Sequence, residues 1–138
     1  MKAGVWFVTV APVIAIAYLV VEYPPQRFGA LEVAGLVLAI AGIGLVTMAR
    51  LQLGNSFSVT PQARHLVTTG LYSRMRNPIY VFSAIGLSGL AVYFDRPVLL
   101  LGLVILVPVQ LARAKAEERV LTEKFGDEYL RYKATTWF

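Results

Sequence analysis

The chain has 138 residues and a formal charge of +5, with no cysteine and one histidine. Hydrophobic residues make up 57% and charged residues 15%, against roughly 45–50% and about 25% in soluble domains; the balance is that of one lipid-embedded domain. With no Cys and only His65, a tetrahedral zinc site, a disulfide framework and a Cys nucleophile are excluded.

Four uncharged apolar runs follow in chain order: Ala3 to Val21 with 19 residues, Val33 to Ala49 with 17, and Ile79 to Phe94 and Pro97 to Ala112 with 16 each. A helix rising about 1.5 Å per residue needs roughly 17 to 25 residues to cross about 30 Å of hydrocarbon. The first two runs suffice alone. The last two are extended by Arg96 and Arg113, which can snorkel, and by Pro78, which can open a helix one turn early. Lys2 and Ala15-Ile16-Ala17 imitate a cleavable leader, but the run continues unbroken through Val21, so a span is the better reading. The sequence therefore predicts an all-α integral membrane domain over residues 1–138. Its four transmembrane helices lie at about 3–21, 31–49, 78–94 and 97–112, with a loop at 50–77 and C-terminal helices within 113–138.

Alternating spans put Lys2, Arg50, Arg64, Arg74, Arg76, Arg113, Lys115, Arg119, Lys124, Arg131 and Lys133 on one side, 11 of 13 basic residues. Arg27 and Arg96 fall on the other. That asymmetry places both termini, the loop and the C-terminal helices in the cytoplasm. Asp95 as N-cap and Pro97 in the first turn predict a tight hairpin of spans three and four. Tyr23, Phe28, Tyr93 and Phe94 are expected as an aromatic belt at the outer face. The basic excess suits anionic lipid head groups; no motif that reads nucleic acid is present.

In the cytoplasmic loop, Phe57-Ser58-Val59 and His65-Leu66-Val67-Thr68-Thr69 flank a polar turn at Thr60-Pro61-Gln62-Ala63, which predicts a small β-hairpin on the membrane face. Gly70 then punctuates the chain. After the fourth span a helix is expected to continue from Arg113 to Lys124, with Gly126 ending it and a short helix following from Asp127 to about Lys133. Gly42-Ile43-Gly44 lacks the preceding strand of a dinucleotide loop. Small-residue helix packing, through Gly35 and Ala39 or Ala84 and Ser88, explains such residues better.

Leu111, Ala114, Glu118, Leu121 and Phe125 recur at spacings of three and four and share one helix face, apolar except for Glu118. Glu117 lies about 100° away, at its edge. Carboxylates at the end of a span need a positive partner or a hydrogen-bonded ligand. Arg113, Lys115 or Arg119 on the same helix can meet that need, as can a bound molecule. His65, alone in a loop, reads as a surface or hydrogen-bonding residue rather than a general base.

The ordered segments Leu66-Val67-Thr68-Thr69-Gly70-Leu71-Tyr72-Ser73-Arg74-Met75-Arg76-Asn77-Pro78-Ile79-Tyr80, then Glu117-Glu118, then Phe125-Gly126-Asp127-Glu128-Tyr129, resemble the isoprenylcysteine carboxyl methyltransferase and phospholipid methyltransferase superfamily. Its mark is Arg-His-Pro-x-Tyr, one membrane hairpin, then Glu-Glu. The chain departs at Asn77, which stands where the family has His. The resemblance implies S-adenosylmethionine as cofactor, no metal, a lipophilic or lipidated acceptor, and Arg76 and Asn77 at the catalytic position. It further implies a cofactor site of His65, Leu66, Val67, Gly70, Tyr72, Arg76, Asn77, Pro78, Tyr80, Glu117 and Glu118. Phospholipid N-methylation is the alternative acceptor chemistry, and a catalytically silent membrane scaffold or accessory subunit is the competing class.

Overall fold

The computed structural model describes residues 3–54 and 65–138, with side chains from residue 9 onward. Lys2, Arg64 and the Phe57 to Ala63 part of the expected hairpin lie outside the described residues. Among the described residues five α-helices appear: α1 (Ala3–Glu22), α2 (Ala30–Leu53), α3 (Pro78–Tyr93), α4 (Leu101–Phe125) and α5 (Asp127–Thr135). Among the described residues no strand forms. His65 to Thr69 is irregular, and the only extended pairing among the described residues is an isolated parallel bridge between Met75 and Trp137.

Helix ends follow local chemistry. The Glu32 carboxylate accepts from the Gly29 N–H at 2.8 Å and opens α2. Pro78 occupies the first turn of α3, where its missing N–H costs nothing. Gly126, at φ +50, separates α4 from α5, a left-handed conformation that glycine adopts without strain. The expected cap at Asp95 is not formed. Asp95 itself turns left-handed at φ +49, and Arg96 precedes a 3₁₀ turn at Pro97–Leu100 that leads into α4. Chain reversal within two residues requires that turn, so Asp95 is spent on it and cannot cap.

The helices α2 and α3 form the tightest pair. A Cβ on Gly42 would lie 2.6 Å from the Gly86 Cα, and one on Gly35 2.9 Å from the Gly89 carbonyl oxygen. Backbones meet here because neither helix has a side chain in the way, the usual basis of close packing in lipid. Gly35 and Ala39 serve as expected, but their small α3 partner is Gly89, while Gly86 meets Gly42. Ala84 faces α4, and Ser88 bonds back to the Ala84 carbonyl at 2.9 Å. Tyr93 is not part of an exposed belt: it is 2% exposed and donates to the Val20 carbonyl at 3.1 Å. It also meets the Phe28 ring edge-on at 6.1 Å, so it ties α1 and the 23–29 connection to α3.

No residue of α4 is buried. Its apolar side chains, with Leu101, Val104 and Ile105 among the most exposed, form an uncovered surface that water solvates poorly and lipid well. Two helical segments, Ala30–Leu53 and Pro97–Phe125, are long and apolar enough to cross a membrane; Thr9–Glu22 and Pro78–Tyr93 are shorter apolar helices. Pro12 and Pro108 sit inside α1 and α4, as membrane helices tolerate.

Candidate functional site

The site lies where α3 begins and α4 leaves its apolar stretch. A 3₁₀ turn at Gly70–Ser73 leads in. The Leu71 N–H donates to Gln52 Oε1 at 2.8 Å, pinning the turn to the end of α2. Gly70 is favoured by its φ of +62, and a Cβ there would push aside the Gln52 amide, 2.5 Å away, that accepts from Leu71. Tyr72 is thereby buried. Asn77 occupies the cap position of α3 without a side-chain cap bond, and Pro78 is fully buried.

The two carboxylates diverge. The Tyr80 hydroxyl donates to Glu117 Oε1 at 2.7 Å, and Arg113 lies 3.7 Å from the same oxygen. Glu118 pairs with Lys133 of α5. Glu117 therefore faces α3, whereas the helical periodicity points Glu118 inward. The one-residue error arises because α5 folds back and gives the Glu118 side a cation of its own. Pairing with Arg113 was an open option for Glu117; pairing of Glu118 with Lys115 or Arg119 is not what forms. The two side chains are 31% and 37% exposed, so a ligand can reach both.

The C-terminal segment closes the cluster. Tyr132 donates to the Tyr72 carbonyl at 2.6 Å, and Arg76 Nη1 donates weakly to the Lys133 carbonyl at 3.4 Å. The Phe138 carbonyl oxygen accepts from the N–H groups of Arg76 and Asn77 at 2.7 and 3.2 Å, and Trp137 N–H donates to the Arg74 carbonyl at 3.0 Å. Burial pushes the Tyr72 phenol well above its ordinary range, with the nearby Glu117 carboxylate adding to it. Burial likewise raises Tyr129, again helped by Glu118. Tyr132 is pushed up to about 12, by burial first and the neighbouring Tyr129 second.

Tyr72, Arg76, Asn77, Pro78, Tyr80, Glu117 and Glu118 thus gather at one end of the α3–α4 hairpin. Among the described residues no hydrogen bond joins His65, Leu66 or Val67 to this cluster, and His65 is exposed. Gln52, Tyr132, Lys133 and the Trp137–Phe138 segment are participants that sequence reasoning missed. Tyr132 and Lys133 follow the recognised Phe125 to Tyr129 segment within one helix and carried a signal; a contact through the Phe138 backbone carries none. Among the described residues no cluster of three metal-ligating side chains occurs.

No curated protein matches the chain at a significant level. Residues 31–128 match the phospholipid methyltransferase family, a stretch that includes α2 but for its first residue, α3, α4, Glu117 and Glu118. That match covers well over half of the sequence: the chain belongs to the phospholipid methyltransferase family, within the superfamily that also holds the isoprenylcysteine carboxyl methyltransferases.

Proposed function

We propose that the protein is a four-span membrane methyltransferase, with both termini and the active site in the cytoplasm, that moves a methyl group from S-adenosylmethionine to a lipophilic acceptor. Family membership supports methyl transfer. The observation that carries the cofactor is the convergence of Glu117, Glu118, Arg76, Tyr72 and Tyr80. This donor set fits S-adenosylmethionine. Carboxylates accept from ribose hydroxyls or an ammonium, a guanidinium holds a carboxylate, and Tyr rings offer faces to adenine or a sulfonium.

When bound, S-adenosylmethionine supplies a methyl carbon already activated by its sulfonium. The chain then has to align the acceptor and exclude water, effects worth several kcal/mol of barrier. Tyr80 fixes the Glu117 carboxylate through its 2.7 Å hydrogen bond. Arg76 is held at the mouth of α3 by its backbone bond to Phe138. A carboxylate acceptor requires no general base. An amine, thiol or alcohol acceptor loses a proton, and Asn77 has no basic atom to take it, so that proton goes to water or to a carboxylate.

Calorimetry on purified protein in detergent tests the reading. Saturable heat with S-adenosylmethionine or its demethylated product is expected. No heat and no thermal shift at millimolar ligand would overturn it and leave a silent membrane module.

A further inference from the structure

Gln110 is an amide set among Val107, Pro108, Val109 and Leu111, inside the uncharged run Pro97 to Ala112. An amide there is costly unless a partner satisfies it. Gln110 Nε2 donates to Ser83 Oγ at 2.7 Å, and the Ser83 hydroxyl donates to the Tyr80 carbonyl oxygen at 3.0 Å. Tyr80 in turn donates through its own hydroxyl to Glu117 Oε1 at 2.7 Å. The bonds form a circuit that leaves α4 at Gln110, runs one turn along α3 and returns to α4 at Glu117. Seven residues separate Gln110 from Glu117, which is about two helical turns, so both sit on the face of α4 that meets α3. Tyr80 and Ser83 are likewise neighbours on one face of α3.

Apolar packing does not fix this half of α4 against α3. No residue of α4 is buried, and a cleft of about 150 Å³, lined from α3 by Tyr80, Val81 and Ala84 and from α4 by Val107, Gln110 and Leu111, lies between the two helices. Lipid tails are as apolar as these side chains, so no hydrophobic gain draws α4 onto α3 and cross-helix hydrogen bonds carry more of the association. Pro108 lies inside α4 and has no N–H to bond back to the turn before it; helices bend at such points. Gln110 lies two residues beyond it, on the side that carries Glu117.

We infer that Gln110 and Ser83 are positioning residues: their bond sets the register of the C-terminal half of α4 on α3, and so brings the Glu117 carboxylate to Tyr80 and to the cofactor. The inference rests on the methyltransferase reading and adds two residues that act through Glu117. Cross-helix hydrogen bonds in membranes average about a threefold change in an equilibrium constant. Releasing the register therefore costs part of what losing the carboxylate costs.

The test uses the full chain in phosphatidylcholine nanodiscs. The chain has no native cysteine, so spin labels at Gly44→Cys on α2 and Ala112→Cys on α4, both exposed positions, report by double electron-electron resonance how the C-terminal half of α4 sits on the α2–α3 pair. Gln110→Met keeps the side chain's length without its amide. This variant and Ser83→Ala are expected to shift or widen the distance distribution, whereas Ser83→Thr, which keeps a hydroxyl, matches the parent. By calorimetry on unlabelled protein, Gln110→Met is expected to weaken S-adenosylmethionine binding at least threefold, with Ser83→Ala following it and Ser83→Thr not, and to add nothing in a Glu117→Gln background. An unchanged distribution in both Gln110→Met and Ser83→Ala overturns the register. A changed distribution with affinity within threefold of the parent overturns the positioning role, and an equal loss in the Glu117→Gln background overturns the route through Glu117. Should one of the two variants fail to fold, the other decides. A parent that binds no cofactor overturns the underlying reading and this inference with it, whereas the preceding outcomes, on a parent that binds, leave that reading standing.

Discussion

Tyr80 and Glu117, 37 residues apart in the chain, share a 2.7 Å hydrogen bond that joins the first turn of α3 to the C-terminal half of α4. Glu118, next in sequence, turns the other way to Lys133. Losing a charged hydrogen bond to a ligand costs about 1.5–3 kcal/mol, or roughly ten- to a hundredfold in affinity. Glu117→Gln is therefore expected to weaken S-adenosylmethionine binding at least tenfold and Glu118→Gln less, by calorimetry on folded protein. Unchanged binding in both variants would make the carboxylates purely structural.

The α2–α3 contact is testable against a control in the same helix. Gly42 has the Gly86 backbone 2.6 Å from where a Cβ would stand, whereas Gly44 has nothing within 4 Å. Gly42→Val should lower thermal stability by about 1–3 kcal/mol or more. Gly44→Ala should be neutral or stabilising by up to about 1 kcal/mol. Equal melting temperatures for the two variants in detergent would refute the close approach.

Alkaline titration reports on the Tyr72, Tyr129 and Tyr132 cluster. Burial raises all three phenols, so the folded chain keeps protons that the unfolded chain releases near pH 10. Their contribution is complete below about pH 10 and is lost as pH climbs through about 12, where Tyr132 titrates. Helical signal should fall over that window together with the rise of tyrosinate absorbance. Tyr132→Phe should shallow the slope and lower stability by about 1 kcal/mol through loss of its bond to the Tyr72 carbonyl. An alkaline slope identical to the parent's would contradict the assignment.

Orientation is accessible because the chain lacks cysteine. Arg96→Cys should be labelled by impermeant maleimide only from the outer side, and a tag after Phe138 should be reached only from the cytoplasm. Labelling of position 96 from the cytoplasm alone would reverse the topology read from the basic residues.

Helix starts and stops were legible because they depend on single residues: Pro78 opens α3, Gly126 ends α4, and Asp127 begins α5. Those are local events. Face assignments were harder, since a helix buried on more than one side offers several equally regular stripes. Ala84 and Ser88 have the same spacing as Gly35 and Ala39, yet Gly86 and Gly89 are what α2 meets. The inward glutamate failed for a related reason: periodicity cannot show that α5 returns with Lys133. Asp95 reads as a cap until the reversal between α3 and α4 claims its backbone. Least legible was Phe138, whose placement depends on N–H and C=O groups that every residue possesses.

The glycine contacts and the bareness of α4 together divide the site mechanically. Tyr72, Arg76 and Tyr80 sit on or just before α3, which is locked backbone to backbone against α2 and pinned through Gln52. Glu117 and Glu118 ride on α4, where no residue is buried. The aromatic and guanidinium half is thus held backbone to backbone, whereas the carboxylate half meets it through side chains, Glu117 with Tyr80 and Gln110 with Ser83, so α4 is expected to be the half that adjusts around a guest. Amide exchange should show it: α4 amides past Pro108 exchange faster than those of α2 and α3, and slow down when cofactor bridges the two halves. Uniform protection across the three helices would mean that the site is one rigid body.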